Sequence, residues 1–79
     1  MAEVTVRLFA AAAEAAGTKE TTSSASTLSA LRDELVLERP GLLAVLNRCT
    51  FLVDGLLAQG EQDIRGAGTV DVLPPFAGG

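Results

Sequence analysis

The segment Pro74-Pro75-Phe76-Ala77-Gly78-Gly79 has the residue types and order to do chemistry with the main chain rather than with side chains. Each of the two prolines stiffens it by fixing φ and removing an N–H. Phe76 follows as a single large apolar anchor. Ala77 is small, and Gly78 and Gly79 have no Cβ, so the backbone can enter a slot too narrow for any side chain. Read as a C-terminus, Gly79 delivers an α-carboxylate into that slot, ionised at neutral pH with a reference pKa of about 3.3–3.7. A free carboxylate is a poor electrophile, so acyl chemistry there requires prior activation, for instance as an acyl-adenylate. A Gly-Gly end without any role is the bland alternative. Against it stand the rigid Pro-Pro and the apolar Leu73 and Phe76, since a disordered tail is usually polar. Phe76, with Leu73, Pro74, Pro75 and Phe9, is the candidate partner-docking set.

Composition excludes much else. The chain has no histidine, which removes Ser-His-Asp and Cys-His catalysis and the commonest metal ligand. Its one cysteine, Cys49, can form neither an internal disulfide nor a zinc cluster, and no metal site is expected. Beside strand residues Cys49 reads as a small buried hydrophobe. Arg65-Gly66-Ala67-Gly68 lacks the Gly-Lys-Ser/Thr of a phosphate loop. A net charge of −4 without a basic cluster argues against nucleic acid and anionic membranes, and suits a partner with a basic docking face. No apolar run approaches a membrane span, and Met1-Ala2-Glu3-Val4 lacks the features of a signal peptide. Cytoplasmic residence is the default expectation. At 48% hydrophobic residues, 79 residues suffice for one small compact domain over 1–79, with 74–79 a protruding tail.

The elements that must position this tail follow from local pattern. Val4 to Phe9 alternates as a strand, with Val4, Val6 and Leu8 on the core face and Thr5, Arg7 and Phe9 on the other. Phe9 is either core or docking surface. Ala10 to Ala16 predicts a short helix closed by Gly17. The polar run Lys19 to Ser24 can pair antiparallel with the first strand as an edge. Ser26 or Thr27 caps the main helix, whose Leu28, Leu31 and Leu35 lie on one face. Pro40-Gly41 ends or bends it, and Leu42, Leu43, Val45 and Leu46 make a further apolar turn. Every leucine of these two segments is assigned to the core. Thr50 to Val53, the Asp54-Gly55 turn and Leu56 to Ala58 form a hairpin. A loop over 59–68, anchored by Ile64, leads to the last strand, Thr69 to Leu73. Val70 and Val72 face one way there, and Thr69, Asp71 and Leu73 the other. Glu14, Asp54 and Asp71 read as isolated, solvated carboxylates with no catalytic role.

This order predicts an α+β, ubiquitin-like β-grasp roll: a mixed sheet with one main helix packed across it. Leu8-Phe9-Ala10 with Glu14 and Gly17, Val53-Asp54-Gly55, and Val70 through Gly79 together resemble the MoaD/ThiS sulfur-carrier family, in its molybdopterin synthase small-subunit branch. Two departures are an alanine, Ala13, before Glu14, where many relatives have arginine, and Thr69 after Gly68, where many have aspartate. The resemblance implies that Gly79 is adenylated by a ubiquitin-activating-type adenylyltransferase using ATP, with a sulfurtransferase as sulfur source, and becomes a thiocarboxylate. It implies that Gly78 and Ala77 thread a partner's channel, and that a large subunit receives the sulfur to build the molybdopterin dithiolene, in a heterotetramer. The chain itself binds no cofactor and is no enzyme on its own. Alternatives are a sulfur carrier for thiamine, cysteine or nucleotide thiolation, a ubiquitin-like protein modifier, and a β-grasp interaction module whose tail does nothing.

Overall fold

A computed structural model describes residues 3–75. In chain order it comprises β1 (Val4–Leu8), α1 (Ala11–Ala16), β2 (Glu20–Ser23), α2 (Leu28–Glu38), a 3-10 turn (Pro40–Leu42), α3 (Leu43–Leu46), β3 (Thr50–Val53), β4 (Leu56–Ala58) and β5 (Thr69–Leu73). The strands form one mixed sheet in the order β2-β1-β5-β3-β4. β1 runs parallel to β5, and the other neighbours are antiparallel. This is the β-grasp.

Alternation along the strands creates the two faces of the sheet. Val4, Val6 and Leu8 of β1, Val70 and Val72 of β5, and Phe51 and Val53 of β3 share one buried cluster with Leu28, Leu31 and Leu35 of α2. The i, i+3, i+7 spacing of those leucines gives α2 its single buried stripe. Thr27, rather than Ser26, caps the helix: its Oγ1 accepts from the Ala30 amide at 3.1 Å. Such caps are worth about 1 kcal/mol. Leu42, Leu46 and Ile64 complete the core.

The compact packing of the helical layer depends on glycine at one close approach. A Cβ on Gly41 would meet the carbonyl oxygen of Ala15 at 2.9 Å. Without one, the 3-10 turn lies directly on α1. Gly17 ends α1 in the left-handed region, φ 79°, with its amide donating to the Ala13 carbonyl at 2.9 Å. Arg39 adds a second tie, donating from Nη1 to the Ala16 carbonyl at 2.8 Å.

Not every leucine enters the core. Leu37 and Leu43 are exposed, at 82% and 59%. Leu37 lies on α2 outside the stripe formed by Leu28, Leu31 and Leu35, and Leu43 opens α3, whose buried residue is Leu46. β1 ends at Leu8, one residue earlier than its alternation predicts. The chain leaves the sheet there because Ala10 adopts φ 51°, ψ −124° and turns it into α1.

Candidate functional site

β5 determines where the tail emerges. It is the central strand, paired on one side with β1 and on the other with β3. Thr50 stands opposite Leu73 and the Phe9 amide donates to the Val72 carbonyl at 3.2 Å, so β5 is held on both sides almost to its end. Pro74 and Pro75 follow β5 without regular structure, Pro74 half-buried and Pro75 exposed. Phe76, Ala77, Gly78 and Gly79 lie outside the described residues.

The start of β5 is anchored by a residue that does more than turn the chain. Asp54 sits at φ 49°, in the left-handed region. Its Oδ1 accepts hydrogen bonds of 2.9 Å from the amides of both Gly68 and Thr69, and its own amide donates to the Thr69 carbonyl at 2.9 Å. The carboxylate expected to be free in solvent instead closes the β3–β5 junction, because it presents an acceptor where β5 offers two unpaired donors.

The sheet face opposite the helices carries a row of five residues in register. From edge to edge it reads Glu20, Arg7, Asp71, Leu52 and Leu57. Arg7 Nε and Nη2 donate to the two carboxylate oxygens of Asp71 at 2.6 and 2.9 Å. This bidentate geometry is the strongest and most directional form of the ion pair. Asp71 is 8% exposed, and its burial corrects the expectation of a solvated carboxylate. Arg7, the neighbour in the parallel register, covers and neutralises it. The guanidinium pKa is held above its ordinary value, first by the hydrogen bond to Asp71 and then by that carboxylate's charge.

Around this pair the face is apolar toward one edge and the tail. Leu57 is 74% exposed, Leu52 and Leu73 are half-buried, and Phe9 is exposed rather than core. Of the sequence-expected docking residues, the structure brings Phe9 beside Leu73 at the tail exit, with Pro74 and Pro75 next in the chain. Arg7, Asp71, Leu52 and Leu57 lie on the same face, a grouping that local pattern did not single out. Only the β1–β5, β3–β5 and β3–β4 registers bring them together.

Among the described residues no group of three or more His, Cys, Asp or Glu is placed to hold a metal ion. Cys49 packs half-buried against the core, and its thiol donates to the Val45 carbonyl at 3.3 Å. Burial pushes its pKa up, opposed by the charge of Arg32, so it stays a protonated thiol. The arrangement can bind a surface and present the segment that follows β5. No described helix is long and apolar enough to cross a membrane.

Comparison with known proteins agrees with this geometry. Residues 6–79 match the ThiS family. No curated protein matches. Among solved structures, small archaeal modifier protein 1 (SAMP1) from Haloferax volcanii has TM-score 0.86 and 24% identity, covering 99% of this chain and 100% of that one. The SAMP1 from Methanosarcina acetivorans has TM-score 0.75 and 26% identity, covering 100% and 98%. A chain from the complex of subunits 1 and 2 of the molybdopterin-converting factor of Helicobacter pylori has TM-score 0.72 and 25% identity, covering 99% and 100%.

Proposed function

The chain belongs to the ThiS family, and from that premise we propose that it is the sulfur-carrier small subunit of a molybdopterin synthase. The observation that carries the reading is the union of two features. A central strand, pinned on both sides, ends in Leu73-Pro74-Pro75 directly ahead of Phe76-Ala77-Gly78-Gly79. Beside Leu73 the open face carries the apolar Phe9, Leu52 and Leu57 around the Arg7–Asp71 pair, and among the described residues Phe9 and Leu57 are exposed. A rigid platform and a side-chain-free terminus suit a group that must be delivered into another protein's active site.

In this reading the Gly79 carboxylate attacks ATP in an adenylyltransferase partner, pyrophosphate leaves, and an acyl-adenylate forms. A sulfide-level nucleophile supplied by a sulfurtransferase then displaces AMP and leaves a thiocarboxylate. The thiocarboxylate is a soft anionic nucleophile, tethered so that it cannot diffuse away as sulfide. Phe9, Leu73, Pro74, Pro75 and Phe76 dock on the large subunit, while Ala77 and Gly78 pass through its channel. Each carrier holds one sulfur and a dithiolene needs two, so two carriers are consumed per product.

The test is a single-turnover reaction with the large subunit and a cyclic pterin phosphate. The thiocarboxylate form yields about one product per two carriers, and the carboxylate form yields none. Product from the carboxylate form would show that Gly79 is not the donor.

The likeness to the two SAMP1 structures favours a second reading, a protein modifier whose Gly79 becomes amide-bonded to lysines. Intact mass of the chain recovered from cells separates the two. A sulfur-for-oxygen gain marks a carrier, and conjugates of higher mass mark a modifier.

A further inference from the structure

The ion pair in the middle of the open face has a consequence for partner choice. Arg7 is bound to Asp71 through Nε and one hydrogen of Nη2. The guanidinium has five N–H donors in all. Its three others have no partner among the described residues, and the Arg7 side chain is 47% exposed. Leu52, Leu57 and Leu73 supply apolar surface on one side of the pair, and Glu20 lies in register on the other. A protein docking on those leucines therefore also covers Arg7 and strips water from its free donors. Each donor left unmet under a partner costs more than a hydrogen bond gains, so an unbroken apolar surface is rejected.

The charges decide what the partner must supply. Asp71 cancels Arg7, and Glu20 adds a negative charge at the neighbouring position. The local sum of Arg7 (+1), Asp71 (−1) and Glu20 (−1) is −1. A partner carboxylate would meet a net negative patch, whereas a neutral oxygen meets only the free N–H groups.

We propose that Arg7, held in place by Asp71, is a specificity-determining residue of the docking face, selecting a protein partner whose apolar patch is interrupted by a neutral acceptor, a main-chain carbonyl or a side-chain amide oxygen. Arg7 touches the partner and Asp71 is a positioning residue. The inference rests on the open face being the docking surface for the large subunit. It adds which residue discriminates and what chemistry it reads. Because both side chains are locked before binding, little rotamer freedom is lost on association.

Two double variants test it against the purified large synthase subunit by calorimetry. Arg7→Leu with Asp71→Leu replaces the pair by apolar groups, a change that is often neutral or stabilising to a fold. Arg7→Asp with Asp71→Arg keeps a cross-strand ion pair and the net charge but moves the donors to β5. A purely structural pair would survive both changes. Both variants are expected to melt near the wild type and to bind the large subunit roughly 10-fold or more weaker, since each strands the partner's acceptor. The ratio of variant to wild-type Kd is expected to stay constant between low and high salt. Wild-type affinity in either folded variant would overturn the proposal, and a ratio that grows steeply at low salt would replace the neutral acceptor with a carboxylate. A self-association of the isolated chain that both variants abolish would assign the face to a second copy and equally overturn it. Failure of the wild-type chain to bind the large subunit at all would strike the docking reading beneath.

Discussion

Asp54→Ala is the substitution whose cost the structure lets one work out. The side chain supplies two hydrogen bonds of 2.9 Å to the Gly68 and Thr69 amides, in an exposed setting. An exposed hydrogen bond is worth about 1 kcal/mol net, so their loss removes about 2 kcal/mol. Asp54 also occupies φ 49°, which aspartate tolerates and alanine resists, adding up to about 1 kcal/mol. The sum is about 2–3 kcal/mol. In a domain of this size each kcal/mol moves the midpoint by roughly 4–8 °C, so thermal unfolding followed by circular dichroism is expected to shift down by about 10–20 °C. Asp54→Asn keeps a carbonyl oxygen as acceptor and the tolerance of the left-handed region, and is expected to lose less than about half of that. Asp54→Gly relieves the backbone but forfeits both bonds, and falls between them. An Asp54→Ala midpoint within about 2 °C of the wild type would refute the clamp. So would an Asp54→Asn variant as unstable as Asp54→Ala, because the acceptor would then not be the source of the effect.

Ala10→Gly tests stored strain: φ 51°, ψ −124° is a conformation worth about 1–3 kcal/mol of strain in an L-residue, against about 0.5–1 kcal/mol of added glycine entropy. A raised thermal midpoint is expected, and a lowered one would show that Ala10 is unstrained. Gly78→Val places a β-branched side chain where, in the proposed function, backbone passes through the partner's channel. Folding is expected to be unaffected and sulfur transfer to collapse, and normal transfer would mean that the glycines are incidental. Asp63 accepts from Arg65 Nε and Nη2 and from the Arg65 amide, which together lower its pKa to about 2, the side-chain bonds contributing most. Its folded pKa lies below its unfolded one, so its contribution is present at neutral pH and is lost as pH falls from about 3.9 through about 2. A carboxyl titration by NMR is expected to show that low midpoint and its return toward the ordinary value in Arg65→Ala. An ordinary midpoint in the wild type would refute the pairing.

The sequence alone determined the parts of this protein that depend on neighbours along the chain. Alternation in Val4 to Leu8 and Thr69 to Leu73 marks strands because side chains of a strand point to opposite faces. The spacing of Leu28, Leu31 and Leu35 marks the buried stripe of α2 because a helix repeats every 3.6 residues. Asp54-Gly55 marks a turn because both residues tolerate positive φ. The Gly78-Gly79 ending is visible for the simplest reason: a missing Cβ is a property of the residue. What only the tertiary structure decided are relations between distant residues. Arg7 and Asp71 are 64 positions apart, and each alone looks like a solvated charge on a strand. They become one pair, with Asp71 buried beneath an exposed Arg7, because β1 and β5 lie side by side in parallel register. Asp54 reaches Gly68 and Thr69 for the same reason, through the pairing of β3 with β5. Leu37 is as hydrophobic as Leu35 on the same helix, and its exposure is set by helical phase relative to a sheet that no local window contains. Secondary structure follows from steric preferences and solvation within a few residues. Which strand neighbours which is a global outcome of burying one face of the whole sheet, and the composition of the open face depends on that outcome.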